Sequence, residues 1–164
     1  MTLEEVNIVF GEFGAAIELP DLRLDETGYA SILTEKETVF TFEHVEEEGA
    51  LVIYTSIAAI VPERREMLFE EMLRANFFWR ETLGATLAIS PDGRFALLMT
   101  SLPVANLTVE TLTRVYLNIA QLTEAWYARI EEIFDGAALP ETEEPESDRG
   151  GPEPAAIPPS GTMA

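Results

Sequence analysis

The chain has no cysteine, a single histidine (His44) and a single lysine (Lys36). Without cysteine there is no disulfide, no thiolate nucleophile and no cysteine-bound zinc. One histidine excludes a two-histidine metal site within one subunit. Basic residues number 10 against 30 acidic ones, a formal net charge of −20. Binding nucleic acid requires lysine and arginine to replace phosphate counterions, so no nucleic-acid partner is expected, and anionic membranes are disfavoured for the same reason. The longest apolar run, Ala50 to Val61, contains Thr55 and Ser56 and is too short for membrane insertion. The opening MTLEEVNIVF is acidic and lacks the basic-then-apolar layout of a signal peptide, so a cytoplasmic protein is expected. Neither a GxGxxG motif nor a P-loop is present. The acidic clusters Glu46-Glu47-Glu48, Glu70-Glu71 and Glu131-Glu132 read as solvated turns and helix surfaces, whereas acid–base chemistry needs a carboxyl in a pocket. His44 reads as a strand-end histidine with a local hydrogen bond. No catalytic residue, metal ligand or cofactor is assigned, and the chain is not expected to be an enzyme.

What remains is a hydrophobic fraction of 47% over 164 residues, enough for one folded domain with an extension. Thr2-Leu3-Glu4-Glu5 fits a capping box, and Leu3, Val6, Phe10, Phe13 and Ile17 then recur at helical spacing. Gly11 and Gly14 weaken the second half of this helix. Three strands follow, Tyr29 to Thr34, Thr38 to Val45 and Leu51 to Ile60, joined by turns short enough to make them antiparallel neighbours. Their apolar residues fall on both faces, so both faces are at least partly covered.

Pro62 is suited to the first position of a second helix, which carries two apolar stripes. Leu68, Met72, Ala75 and Trp79 form one; Phe69, Leu73 and Phe77 form the other. A hairpin follows, with apolar runs Leu83 to Ile89 and Phe95 to Leu102 around Ser90-Pro91-Asp92-Gly93-Arg94. Asn106 or Thr108 can cap a last helix of about 25 residues, in which Leu112, Val115, Tyr116, Ile119, Leu122, Trp126, Ile130 and Ile133 recur every three or four positions. The expected fold class is α+β, in the order α-β-β-β-α-β-β-α, a twisted antiparallel sheet flanked by helices. Residues 1–134 form this domain. Residues 135–164 hold six of the ten prolines and seven acidic residues against Arg149 alone, and read as a flexible tail.

The order of elements and a set of spaced motifs resemble the class I type III secretion chaperones, the Tir-chaperone (CesT-like) family. The motifs are Asp25-Glu26-Thr27-Gly28, Leu73-Arg74-Ala75-Asn76, Gly84-Ala85-Thr86-Leu87, Pro91-Asp92-Gly93-Arg94, Leu97, and Leu102-Pro103. A helix carrying Leu112, Leu117, Ala125-Trp126 and Ile130 completes the set. The resemblance implies a cytoplasmic homodimer that binds the N-terminal segment of a secreted effector protein in extended form and keeps it competent for secretion. It also implies a strand added by the effector to an exposed sheet edge, where main-chain hydrogen bonds give affinity without a fixed sequence. On this basis Val6, Phe10, Phe13, Ala30 and Ile32 are expected to contact the effector, and Phe69, Leu73, Phe77, Thr86 and Ala88 to form the dimer interface. The alternative is a YbjN-like regulatory or sensory module of the same fold, and a small-ligand binder or enzyme is a third, because fold alone does not decide function.

Overall fold

The computed structural model describes residues 1–134 and the pair Ala155–Ala156. The fold is α+β. Three helices, α1 (Leu3–Ala16), α2 (Arg65–Ala75) and α3 (Val109–Ile133), accompany the strands β1 (Tyr29–Leu33), β2 (Val39–Val45), β3 (Ala50–Ala59), β4 (Thr86–Ile89) and β5 (Phe95–Pro103). A short strand β6 (Ala155–Ala156) completes a sheet ordered β4-β5-β3-β2-β1-β6. The expectation of a flexible tail falls on residues 135–164, which lie outside the described residues apart from this pair.

The described chain divides into two compact units. The first comprises Met1–Ile53, Leu102–Thr113 and the C-terminal strand. Its α1 begins with the expected capping box: Thr2 N–H donates to the Glu5 carboxylate at 2.8 Å, and Glu5 N–H donates to Thr2 Oγ1 at 3.3 Å. Val6, Phe10 and Phe13 face inward, and the Phe10 and Phe13 rings lie 5.1 and 5.8 Å from that of Phe42 on β2. Strands β1 and β2 pair antiparallel, with Ala30 opposite Phe42 and Ile32 opposite Phe40. Gly14 sits where the chain doubles back after α1: a Cβ there would lie 2.5 Å from the Leu19 carbonyl and 2.7 Å from Leu22 Cβ.

The second unit comprises Tyr54–Ser101 and the chain from Arg114 through α3. Pro62 opens a single 3₁₀ turn, Pro62–Arg64, before α2 proper starts at Arg65. The hairpin forms as expected: β4 and β5 pair antiparallel, Thr86 opposite Met99 and Ile89 opposite Ala96. In its turn Gly93 takes φ of 74° and donates to the Ser90 carbonyl at 2.8 Å. The Ser90 hydroxyl, followed by the amide and guanidinium of Arg94, holds the Asp92 carboxyl far below the usual carboxylate range. Within α3, Tyr127 donates its hydroxyl hydrogen to the Ser56 carbonyl at 3.0 Å, and Thr123 donates to Ile119 at 2.7 Å. Thr108 is the cap of this helix, its hydroxyl accepting from Thr111 N–H at 3.2 Å.

Candidate functional site

In the first unit the chemistry of interest is a backbone edge. Asp25 fixes where β1 starts: its Oδ1 accepts from Thr27 N–H (2.8 Å), Thr27 Oγ1 (2.7 Å) and Tyr29 N–H (3.0 Å), while Asp25 N–H donates to the Tyr29 carbonyl (2.8 Å). Burial opposes ionisation of Asp25, but these hydrogen bonds outweigh it and lower its pKa. Gly28 then accepts from His44 N–H at 2.8 Å, and Thr34 N–H donates to Thr38 at 3.0 Å. Antiparallel pairing alternates, so Gly28, Ala30, Ile32 and Thr34 turn their backbone groups toward β2. Ser31 and Leu33 therefore turn theirs the other way, toward the edge on which β6 lies. This β6 runs parallel to β1, with Ala155 opposite Ile32 and Ala156 opposite Leu33.

The side chains expected to meet an effector are in the core of this unit. Val6, Phe10, Phe13 and Ile32 are fully enclosed and Ala30 is buried; in this conformation none is offered to a partner. The reason is local: the Phe10, Phe13 and Phe42 rings pack edge to face or tilted against one another and leave no groove between them. On α1 it is Ile8, 62% exposed, that faces outward. His44 is buried in β2.

In the second unit the candidate surface is apolar and follows α2. Leu68, Met72 and Ala75 form the buried stripe, as their spacing predicts. Trp79, expected to continue that stripe, is instead exposed, because the helix ends at Ala75 and a 3₁₀ turn, Phe77–Trp79, is interrupted by Phe78 at φ 57°. Leu73, Phe77, Phe78, Trp79 and Leu83 are all more than half exposed. Phe78, Trp79 and Leu83 adopt positive φ without being glycine, a conformation costing about 1–2 kcal/mol per residue. Asn76 anchors the turn: its Nδ2 donates to the Leu87 carbonyl at 3.0 Å and its Oδ1 accepts from Leu87 N–H at 2.9 Å. An open depression of about 520 Å³ beside the turn is lined by Glu70, Leu73, Arg74 and Phe77.

Of the residues expected at a dimer interface, Leu73, Phe77 and Thr86 are exposed and Phe69 and Ala88 half-buried. Phe78, Trp79 and Leu83 were not among them. Their signal was the run Phe77-Phe78-Trp79 itself, three consecutive aromatics that one helix face cannot bury together.

Among the described residues no helix is long and apolar enough to cross a membrane. Residues 10–127 match the Tir chaperone protein (CesT) family. No curated protein matches the sequence. Among solved structures, the fold is similar to a chain of the ExsC–ExsE complex, with a TM-score of 0.67 and 23% identity over 77% of this chain and 93% of that one. It is similar to a chain of the HopA1–SchA chaperone–effector complex at 0.62 and 15%, over 75% and 93% of the two chains. A chain of the heterodimeric ExoU–SpcU complex from the type III secretion system of Pseudomonas aeruginosa gives 0.56 and 15%, over 78% and 96%.

Proposed function

The chain belongs to the Tir chaperone protein (CesT) family of type III secretion chaperones, which is non-enzymatic, and from that premise we propose how it holds an effector. An extended N-terminal segment of a secreted effector adds as a strand along β1, in the cytoplasm, on a homodimer assembled through the apolar face of α2 and the turn after it. The observation that carries this reading is the edge of β1, whose Ser31 and Leu33 backbone groups point away from β2 and already accept an extended segment. Strand addition makes the same main-chain bonds whatever the side chains, as a chaperone for an unfolded segment requires. Val6, Phe10, Phe13, Ala30 and Ile32 then serve as buried packing of this unit, and Ile8 is the apolar side chain that α1 exposes. A net charge of −20 favours effector segments rich in basic residues over acidic competitors.

The dimer reading rests on exposed Leu73, Phe77, Phe78, Trp79 and Leu83, an apolar cluster of the kind monomeric proteins cover. Phe69, Thr86 and Ala88 are assigned to its rim. Affinity capture of the tagged chain from its native cells, followed by mass spectrometry, tests the function. The expected result is a secreted protein whose isolated N-terminal segment suffices for binding; recovery of folded regulators alone would overturn it.

A further inference from the structure

We propose that the C-terminal strand β6 is a built-in placeholder for the effector strand, held on the edge of β1 until an incoming segment displaces it. The idea rests on the reading above that an effector adds along β1. Both segments need the outward backbone groups of Ser31 and Leu33, and an edge accepts one strand at a time. Ala155–Ala156 is the outermost strand of the sheet and runs parallel to β1, so the chain itself shows that this edge takes an extended segment.

The sequence limits how tightly it can hold. Pro154 precedes the pair, and Pro158 and Pro159 follow within three residues. Proline has no amide to donate, so of residues 154–159 Ala155, Ala156 and Ile157 alone bring amides to a ladder. Among the described residues the pairing covers Ile32 and Leu33, two of the five residues of β1. A strand running the whole length of β1 makes more main-chain bonds and displaces it. Until then a segment on the same chain competes at an effective concentration on the order of millimolar, which keeps weak or short strands off the edge. The device acts as a threshold: it admits a long extended segment and refuses casual edge-to-edge pairing.

The test compares the full-length chain with the double variant Ala155→Pro, Ala156→Pro, which removes the Ala155 amide that faces β1, fixes the backbone of the pair with two proline rings and changes no other residue. Amide exchange at Leu33 should quicken about tenfold or more in the variant, while Ile32, whose amide faces β2, stays unchanged. A labelled synthetic peptide, PEPAAIPPS, added in trans should bind the variant at least about tenfold more tightly than the wild type. Equal Leu33 exchange in the two forms overturns the proposal, and so does equal peptide binding or binding to neither. Neither readout uses an effector. Failure to capture one would count against the function above and leave this result standing.

Discussion

Replacing Phe77 by glutamate should convert the protein from dimer to monomer without unfolding it. The side chain is 72% exposed, and an aromatic residue buries roughly 150–250 Å² when fully enclosed, so an interface would remove about 110–180 Å² of it from water. At about 25 cal/mol per Å² this is worth about 3 kcal/mol per copy. A twofold interface uses the residue twice, so about 6 kcal/mol is lost, and the dissociation constant rises on the order of ten-thousand-fold. Multi-angle light scattering at low micromolar concentration should give twice the 18.2 kDa chain mass for the wild type and the single mass for the variant. Phe77 belongs to no buried stripe, so the cost to folding should stay within about 0.5 kcal/mol and the melting temperature should barely move. A variant that keeps the dimer mass, or a wild type that is monomeric throughout, refutes the assignment of this face.

Two further outcomes concern the first unit. Gly14→Ala should destabilise the fold, reversing the usual gain of about 1 kcal/mol for such a change in a helix, because its Cβ would meet Leu19 and Leu22 at 2.5 and 2.7 Å. Gly11→Ala, whose Cβ has only the Leu22 carbonyl at 4.0 Å, should show the ordinary gain; urea denaturation of both variants checks the contrast. The lowered pKa of Asp25 means that its ionised form stabilises the folded state above the ordinary value of 3.8 and that this contribution is lost as pH falls below it. Asp25→Asn should therefore be less stable than wild type near neutral pH, with the gap closing below pH 3.8 in denaturation curves; a gap independent of pH would remove the role given to the charge.

Much of the fold was legible because its signals are local. Thr2 and Glu5 are three residues apart and cap each other without help from the rest of the chain. The hairpin turn is likewise closed by its own Ser90, Asp92 and Arg94. Where α2 stops was not legible, since neither glycine nor proline interrupts the run from Arg65 to Leu83. The turn depends on Asn76 reaching the backbone of Leu87, a partner that periodicity does not name. The candidate effector residues show a different limit. Apolar spacing says that Val6, Phe10 and Phe13 avoid water, and it does not say whether Phe42 or a partner covers them. Strand β6 left no trace in composition, because two alanines and an isoleucine between prolines look the same whether or not their backbone is paired.

The few cations have a consequence of their own. Arg129 donates to Glu71 and, at 2.5 Å, to Glu81, and its guanidinium lies 5.0 Å from the centre of the Trp126 ring. Arg64 donates to the Phe134 carbonyl at the end of α3 and stacks on the ring of the same residue. In a chain with 30 acidic side chains, dropping an exposed acid that caps no turn or helix relieves repulsion, whereas dropping Arg129 leaves Glu71 and Glu81 confronting each other. Tolerance to genetic drift is therefore lopsided. Glutamates can come and go over most of the surface, whereas Arg64 and Arg129 are where this protein is brittle.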